Sequence, residues 1–304
     1  MFGSSTPFTV ADIPSQTGRI ALVTGGNTGL GKHSIIALCR AGAKVYMAAR
    51  NASKANAAIT EIVSLVPGAD VTFLELDLTS FASVSACAKS FLSHEQKLDI
   101  LMNNAGVMAL PYSRTAEGYE VQFGTNHMGH FLLTKLLLPA LEDGGRIVNL
   151  GSVGHNAAFR GLLLPDLDTQ LEKANTWERY ALSKLSNILH AKELAKRYPK
   201  VVSVAVHPGV VLSDLYTPFV GGNWVLKAGI KAMGLVGGKS PEQGALNQIY
   251  CAVMPVESGE YYVPVGRKGT EGWWHEGPTK WAKSDDLAKR LWEWSDEEVK
   301  KHGY

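Results

Sequence analysis

Two stretches of this 304-residue chain gather residue types able to do chemistry. The first is "VTGGNTGLGKH" at 23–33. Gly26, Gly31 and Lys32 make G-x-x-x-x-G-K, one residue short of a nucleoside-triphosphate loop. Thr24, Gly25, Gly29 and Gly31 make T-G-x-x-x-G-x-G, a pattern that suits the pyrophosphate of a dinucleotide. A triphosphate loop needs Ser or Thr directly after the Lys, because that hydroxyl reaches Mg²⁺. Here the position is His33, and Ser34 comes one residue late. In both patterns the glycines let the backbone approach phosphate at a helix N-terminus. The loop alone therefore leaves both ligands open, along with an ordinary tight turn. The second stretch is "YALSK". Among ten tyrosines, only Tyr180 has a Lys, Lys184, four residues on. On a helix those two positions share a face. A free phenol has a pKa of about 10, and a nearby ammonium favours the phenolate. The pair can thus serve as a proton donor and acceptor, or simply be a half-buried tyrosine beside a solvated lysine.

The intervening sequence predicts the elements that would hold these groups. Short β-branched runs lie at Ile20–Thr24, Lys44–Ala48, Val71–Leu74, Ile100–Met102 and Arg146–Leu150, with further strands at 201–207 and 260–265. Between them, "NASKANAAITEIVSLV", "SFASVSACAKSFLSH" and "GHFLLTKLLLPALED" carry apolar residues at helical spacing, as does the stretch from Trp177 to Arg197. Regular strand–helix alternation implies right-handed crossovers and a parallel sheet covered on both faces. The expected fold is α/β, a Rossmann-type doubly wound, mainly parallel seven-stranded sheet in a single domain spanning 1–304. Residues 1–17 form an N-terminal arm. Residues 213–240, rich in Gly and aromatics, follow strand six at the sheet edge where ligands bind, and are expected to form a substrate loop. Residues 266–304 form a C-terminal extension with five of the seven Trp, read as a helical cap on the sheet edge or as a lid or subunit contact.

Composition narrows the function classes. Hydrophobic residues make up 45% and charged residues 19%, with 30 Lys+Arg against 28 Asp+Glu. So even a balance argues against nucleic acid or an acidic membrane as partner. Three widely spaced cysteines, Cys39, Cys87 and Cys251, argue against a disulfide framework and a zinc site, and no metal is expected. The N-terminus lacks a basic region followed by an apolar run, and no stretch approaches 18 uninterrupted apolar residues. A cytoplasmic protein is expected.

Set in order, the motifs resemble those of the short-chain dehydrogenase/reductase family, over roughly residues 18–265. The glycine loop is followed by "ELDLTS", "NNAG" at Asn103–Gly106, "GTNHMGHFLLT", "VNLGS", "YALSK" and "HPGVVLS". The ordered set removes the triphosphate reading. The resemblance implies a nicotinamide cofactor against Thr24, Gly25, Asn27, Gly29, Leu30, Gly31, Asn104, Ala105 and Gly106. It implies an adenine ring near Asp77 and Leu78, and a nicotinamide bordered by Tyr180, Lys184, Pro208, Gly209, Val211 and Ser213. It further implies a catalytic set of Asn126, Ser152, Tyr180 and Lys184. In that set Tyr180 is the acid–base group, and Lys184 bonds the nicotinamide ribose. Ser152 orients the carbonyl, and Asn126 holds a water that relays protons. One departure is the 28-residue separation of Ser152 and Tyr180, which resembles the longer insertion of retinol-dehydrogenase-like relatives, as "GSVGH" resembles their "SSxxH". The overall style also resembles fungal oxidoreductases of secondary metabolism.

Cofactor choice is legible at the end of strand two. NAD-users carry a carboxylate there for the ribose 2′-hydroxyl; this chain has Ala48, Ala49 and Arg50. An arginine can pair with a 2′-phosphate, so NADP(H) is expected. The expected activity is hydride transfer between NADP(H) and a carbonyl or alcohol of an apolar or aromatic small molecule, by a monomer or homodimer. Dehydration or cyclisation on the same scaffold, and a cofactor-sensing binding protein, stand as alternatives; the sensor would have no need of the Ser152–Tyr180–Lys184 set.

Overall fold

In the computed structural model, residues 8–211, 238–270 and 276–304 are described. Ser213 and the expected substrate loop, apart from its last three residues, lie outside them. The apolar runs become β1 (Ile20–Thr24), β2 (Lys44–Ala49), β3 (Val71–Glu75), β4 (Leu98–Asn103), β5 (Leu141–Leu150), β6 (Val202–Val206) and β7 (Tyr261–Val263). Neighbouring strands among these seven pair parallel. An eighth strand corrects the expected seven: β8 (Arg267–Lys268) pairs antiparallel with β7 at the edge. Two exposed basic residues carry no apolar signal, so only pairing with β7 reveals it.

The sheet order is β3-β2-β1-β4-β5-β6-β7-β8. The chain runs outward from β1 to β3, then returns to place β4 beside β1. That reversal opens a crevice past the C-terminal ends of β1 and β4, where doubly wound sheets hold ligands. Both sheet faces are covered, so consecutive strand residues are buried on opposite sides. Ala21 and Val23 pack with α1 (Gly29–Arg40), α2 (Ala52–Leu65) and α8 (Pro241–Val253). Ile20 and Leu22 share the other layer with α3 (Phe81–His94), α5 (Gly129–Leu137) and α7 (Thr176–Arg197). The short helices α4 (Val121–Phe123) and α6 (Leu167–Lys173) precede α5 and α7. Side-chain caps fix several helix starts: Asn51 for α2, Ser80 for α3 and Asn175 for α7.

Two local expectations change. The helical reading of "GHFLLTKLLLPALED" stops early, because Pro139 has no N–H to continue the ladder; a 3₁₀ turn spans Leu138–Ala140 and β5 begins at Leu141. The tail is helical, as α9 (Lys280–Lys283) and α10 (Asp285–Lys301), but α10 lies across α7 rather than along the sheet edge. Its anchor is Trp292, buried edge-on against Phe131 and His190 at 5.1 and 5.6 Å between ring centroids, with the Arg197 guanidinium 5.1 Å from its ring. Trp292→Ala would leave a cavity that these rings cannot collapse to fill. It is expected to destabilise the fold by about 3–5 kcal/mol in urea unfolding. A loss below about 1 kcal/mol would show that the tail does not belong to the core.

Candidate active site

The crevice holds a cleft of roughly 570 Å³. Its lining brings together Gly25, Gly29, Leu30, Asn104, Ala105, Gly106, Ser152, Tyr180, Lys184, Pro208, Gly209 and Val211 from the expected set. Thr24, Gly31 and Asn126 lie beneath it, and Asn27, Arg50, Asp77 and Leu78 stand outside its walls. Asp77 is engaged locally, its carboxylate accepting from the backbone N–H and hydroxyl of Thr79 at 2.9 and 2.7 Å. Leu78 is buried under Gly129 of α5. Arg50 is exposed directly after β2.

The glycine loop folds back on the start of α1. A Cβ at Gly31 would stand 2.4 Å from the Gly25 carbonyl oxygen, so no side chain is tolerated there. Gly29 has φ +53° and, among the described residues, nothing within 4 Å of where its Cβ would be. That leaves open backbone at a helix start, which fits a pyrophosphate. A nicotinamide dinucleotide therefore suits the residues present.

Thr24 ties this loop to the "NNAG" turn. Its hydroxyl oxygen accepts from the amides of Asn104 and Ala105 at 3.0 and 2.9 Å, and its carbonyl accepts from Asn104 Nδ2 at 2.8 Å. The hydroxyl proton then points to His130 Nε2, 2.8 Å away. His130 Nδ1 lies 3.0 Å from the Asn126 carbonyl oxygen, which can only accept, so Nδ1 carries the ring proton. Asn126 sits in a π turn, Gly124–Met128, the kind of helix irregularity that frequents functional sites. Its side chain accepts from the Val107 amide and donates to the Val107 carbonyl and to Ser183 Oγ, at 2.8–2.9 Å.

Across the cleft, α7 presents Tyr180 and Lys184. Both are nearly buried, and the Lys184 Nζ stands 5.7 Å from the Tyr180 ring centroid. Nζ donates to the Leu150 carbonyl at 2.9 Å, at the end of β5. Burial pulls the Lys184 ammonium down to about 8. Ser152 caps a 3₁₀ turn, Val153–Ala157, through a 3.0 Å bond from the Gly154 amide to its Oγ. Ser152 and Tyr180 are drawn together at Gly154, where an added Cβ would lie 3.0 Å from the Tyr180 ring and 3.2 Å from Ser152 Oγ.

A match to the short chain dehydrogenase model covers residues 19–163. The chain is 41% identical to the short-chain dehydrogenase/reductase drtF of Aspergillus calidoustus, across 95% of this chain and 96% of that one. The chain belongs to the short-chain dehydrogenase/reductase family. It is also 43% identical to mouse retinol dehydrogenase 11, over 78% of this chain and 73% of the relative. The Pseudomonas aeruginosa RhlG/NADP complex superposes with a TM-score of 0.64 at 25% identity, covering 83% of this chain and 96% of that one. Members of this family are oxidoreductases that use nicotinamide cofactors. Among the described residues, no helix is long and apolar enough to cross a membrane and no His/Cys/Asp/Glu group could hold a metal.

Several cleft residues escaped the sequence reading: Thr28, Val107, Met108, Leu150, Val153, Ala157, Trp177 and His207. Most adjoin a motif; Trp177 could have been found three residues before Tyr180, on the same helix face. Gln248 on α8 gave no signal at all. Its buried amide reaches Asn104 Oδ1 at 3.1 Å and Ser34 Oγ at 2.7 Å, bracing the turn against α1.

Burial also pushes the imidazoles of His130 and His207 down to about 4 and that of His190 to about 3. Unfolded histidine titrates near 6.5, so between about pH 6.5 and 4 the unfolded chain binds more protons. Stability contributed by these neutral rings is complete above that window and falls as pH drops through it, by about 1.4 kcal/mol per pH unit for each fully titrating site. Urea midpoints should fall accordingly. His190 sits among Phe131 and Trp292, so His190→Leu should flatten the slope. An unchanged slope in that variant would contradict the assignment.

Proposed function

We propose that the chain is an NADP(H)-dependent carbonyl reductase, or the reverse alcohol dehydrogenase, acting on an apolar or aromatic small molecule. The observation that carries this reading is the convergence of Ser152, Tyr180 and Lys184 on one cleft with the glycine loop at its far end. Bound there, the nicotinamide supplies or accepts the hydride. The chain's own groups must then hold the carbonyl, move one proton and exclude water.

Tyr180 is the proton donor in reduction. The Lys184 charge, held against the tyrosine ring, stabilises the negative charge left on the phenol oxygen. With its own ionisation lowered to about 8, Lys184 can also return a proton near neutral pH. Ser152 Oγ is positioned by the Gly154 amide to donate its hydroxyl proton to the substrate oxygen. Asn126, with its side chain locked on Val107 and Ser183, offers a rigid place for a relaying water under Gly106. Val107, Met108, Val153, Ala157 and Trp177 give the open side of the cleft an apolar surface, which favours a bulky apolar substrate.

For the cofactor, Arg50 follows a strand that ends in two alanines, so the end of β2 itself presents no carboxylate to a 2′-phosphate. The RhlG/NADP likeness supports the same choice.

Two measurements test this function. NADPH oxidation followed across benzaldehyde, 4-nitrobenzaldehyde, acetophenone, cyclohexanone and decanal should reveal turnover. Tyr180→Phe should then lower kcat by about 10²–10⁴-fold with little change in NADPH affinity. More than about a tenth of wild-type kcat remaining would overturn the role of Tyr180. Independently, Arg50→Asp should shift the ratio of NADPH to NADH affinity by about 10–150-fold towards NADH, through loss of a charge-assisted bond and added repulsion. An unchanged ratio would refute the NADP(H) reading.

A further inference from the structure

We propose that His155 is a positioning residue through which the C-terminal tail fixes the backbone of Ser152 at the cleft. The inference rests on the reading of Ser152 given above, and adds to it a group three residues along the chain and a second group 124 residues further on.

The hydrogen bonds allow one arrangement only. The Thr279 backbone N–H points at His155 Nε2, 3.2 Å away, and an amide can only donate, so Nε2 bears a lone pair. Nδ1 lies 2.6 Å from the Ser152 carbonyl oxygen, which can only accept, so Nδ1 bears the proton. Both contacts agree on the neutral Nδ1–H tautomer. The ring is fully buried and stands edge-on to Tyr261, 5.3 Å between centroids, so it has no room to swing away. It is a rigid bridge between two backbone segments.

Its near end bears on the cleft. The Ser152 carbonyl also accepts the His155 amide at 3.1 Å, so two donors from one residue fix the peptide plane following Ser152. That plane sets where the Ser152 side chain stands. Within the 3₁₀ turn the Ser152 carbonyl already favours the proton on Nδ1, and the Thr279 amide reinforces that choice from the other side of the ring. Without the Thr279 amide, Nε2 loses its only donor among the described residues and the ring is no longer tied to the tail, so its hold on Ser152 loosens.

Its far end belongs to a clasp. Two residues after Thr279, Trp281 lies over Gly161, where a Cβ would come within 2.7 Å of the indole, and its Nε1 donates to the Phe159 carbonyl at 3.1 Å. Arg290 donates to the Leu164 carbonyl at 2.9 Å. The tail thus grips the segment that follows Ser152, while α10 packs on α7, which carries Tyr180. One element holds both sides of the reacting pair.

The test has a spectroscopic and a kinetic arm. Long-range ¹H–¹⁵N spectra of histidine-labelled protein, assigned with His155→Gln, should show the neutral Nδ1–H form of His155 in wild type. Thr279→Pro removes the N–H at a position whose φ of −63° already suits proline, and should move the Nε2 resonance away from its hydrogen-bonded position. Thr279→Ala keeps the N–H, loses only the helix cap, and should retain it. On the fastest carbonyl of the panel, His155→Gln should lower kcat about tenfold, the worth of one hydrogen bond, with NADPH affinity unchanged. His155→Asn, whose amide can replace Nδ1–H, should recover most of that loss. In a Ser152→Ala background, His155→Gln should add nothing.

An Nε2–H tautomer in wild type, or a Thr279→Pro spectrum matching that of Thr279→Ala, would overturn the bridge. A full additional loss in the Ser152→Ala background would overturn action through Ser152. If Ser152→Ala alone leaves kcat intact, the role of Ser152 fails, and the spectra still decide the bridge on their own.

Discussion

Burying an ammonium ion at the end of a sheet is the constraint around which this site is arranged. Lys184 is 4% exposed, and a lysine so placed is costly unless the surrounding dipoles accept its protons. The Leu150 carbonyl does so, at the point where β5 ends and its last oxygen has no further strand partner to serve. Asn187, one turn along α7, donates to the same oxygen and fixes its direction. Gly106 completes the enclosure, since a Cβ there would lie 3.4 Å from the ammonium nitrogen. The sheet end, the long helix and the "NNAG" turn are thereby held to one geometry by one charge.

The same logic extends outward through neutral groups. From the Ala105 amide to Thr24, on to His130 and finally to the Asn126 carbonyl, each donor has an acceptor. Buried networks of this kind are rigid when every member is satisfied, and costly when one is not. Burial depresses the basicity of His130 and the Lys184 charge adds to it; protonating Nε2 would also break its bond from Thr24. A neutral histidine links the glycine loop to the π turn as a fixed part.

Much of this was legible in the sequence, for identifiable reasons. β1 through β7 announced themselves because a sheet covered on both faces needs continuous apolar runs, and "IALVT" or "VVSVAVH" can do little else. The motifs marked most of the cleft because close backbone approach demands glycine, and a helix places Tyr180 and Lys184 on one face. What stayed hidden depends on contacts between distant segments. β8 exists because Tyr262 and Val263 offer an edge to Lys268 and Arg267, which no periodicity signals. Gln248 looks like any polar residue on an amphipathic helix until α8 is laid beside Asn104. The path of α10 across α7 follows from where Trp292 finds Phe131 and His190, a pairing that separation along the chain conceals.

Lys184 is a buried cation whose ionisation is displaced by its surroundings. Titrating its side chain puts this to the test. Protein labelled with ¹³C at the lysine ε-carbon, with Lys184→Arg to identify the resonance, reports that ionisation without substrate or cofactor. An inflection near pH 8, well below that of an ordinary lysine at about 10.4, is the result expected from the burial of this group. A resonance that titrates with the bulk of the lysines would mean that the ammonium is solvated, and that the sheet end, α7 and the "NNAG" turn are not held together by it.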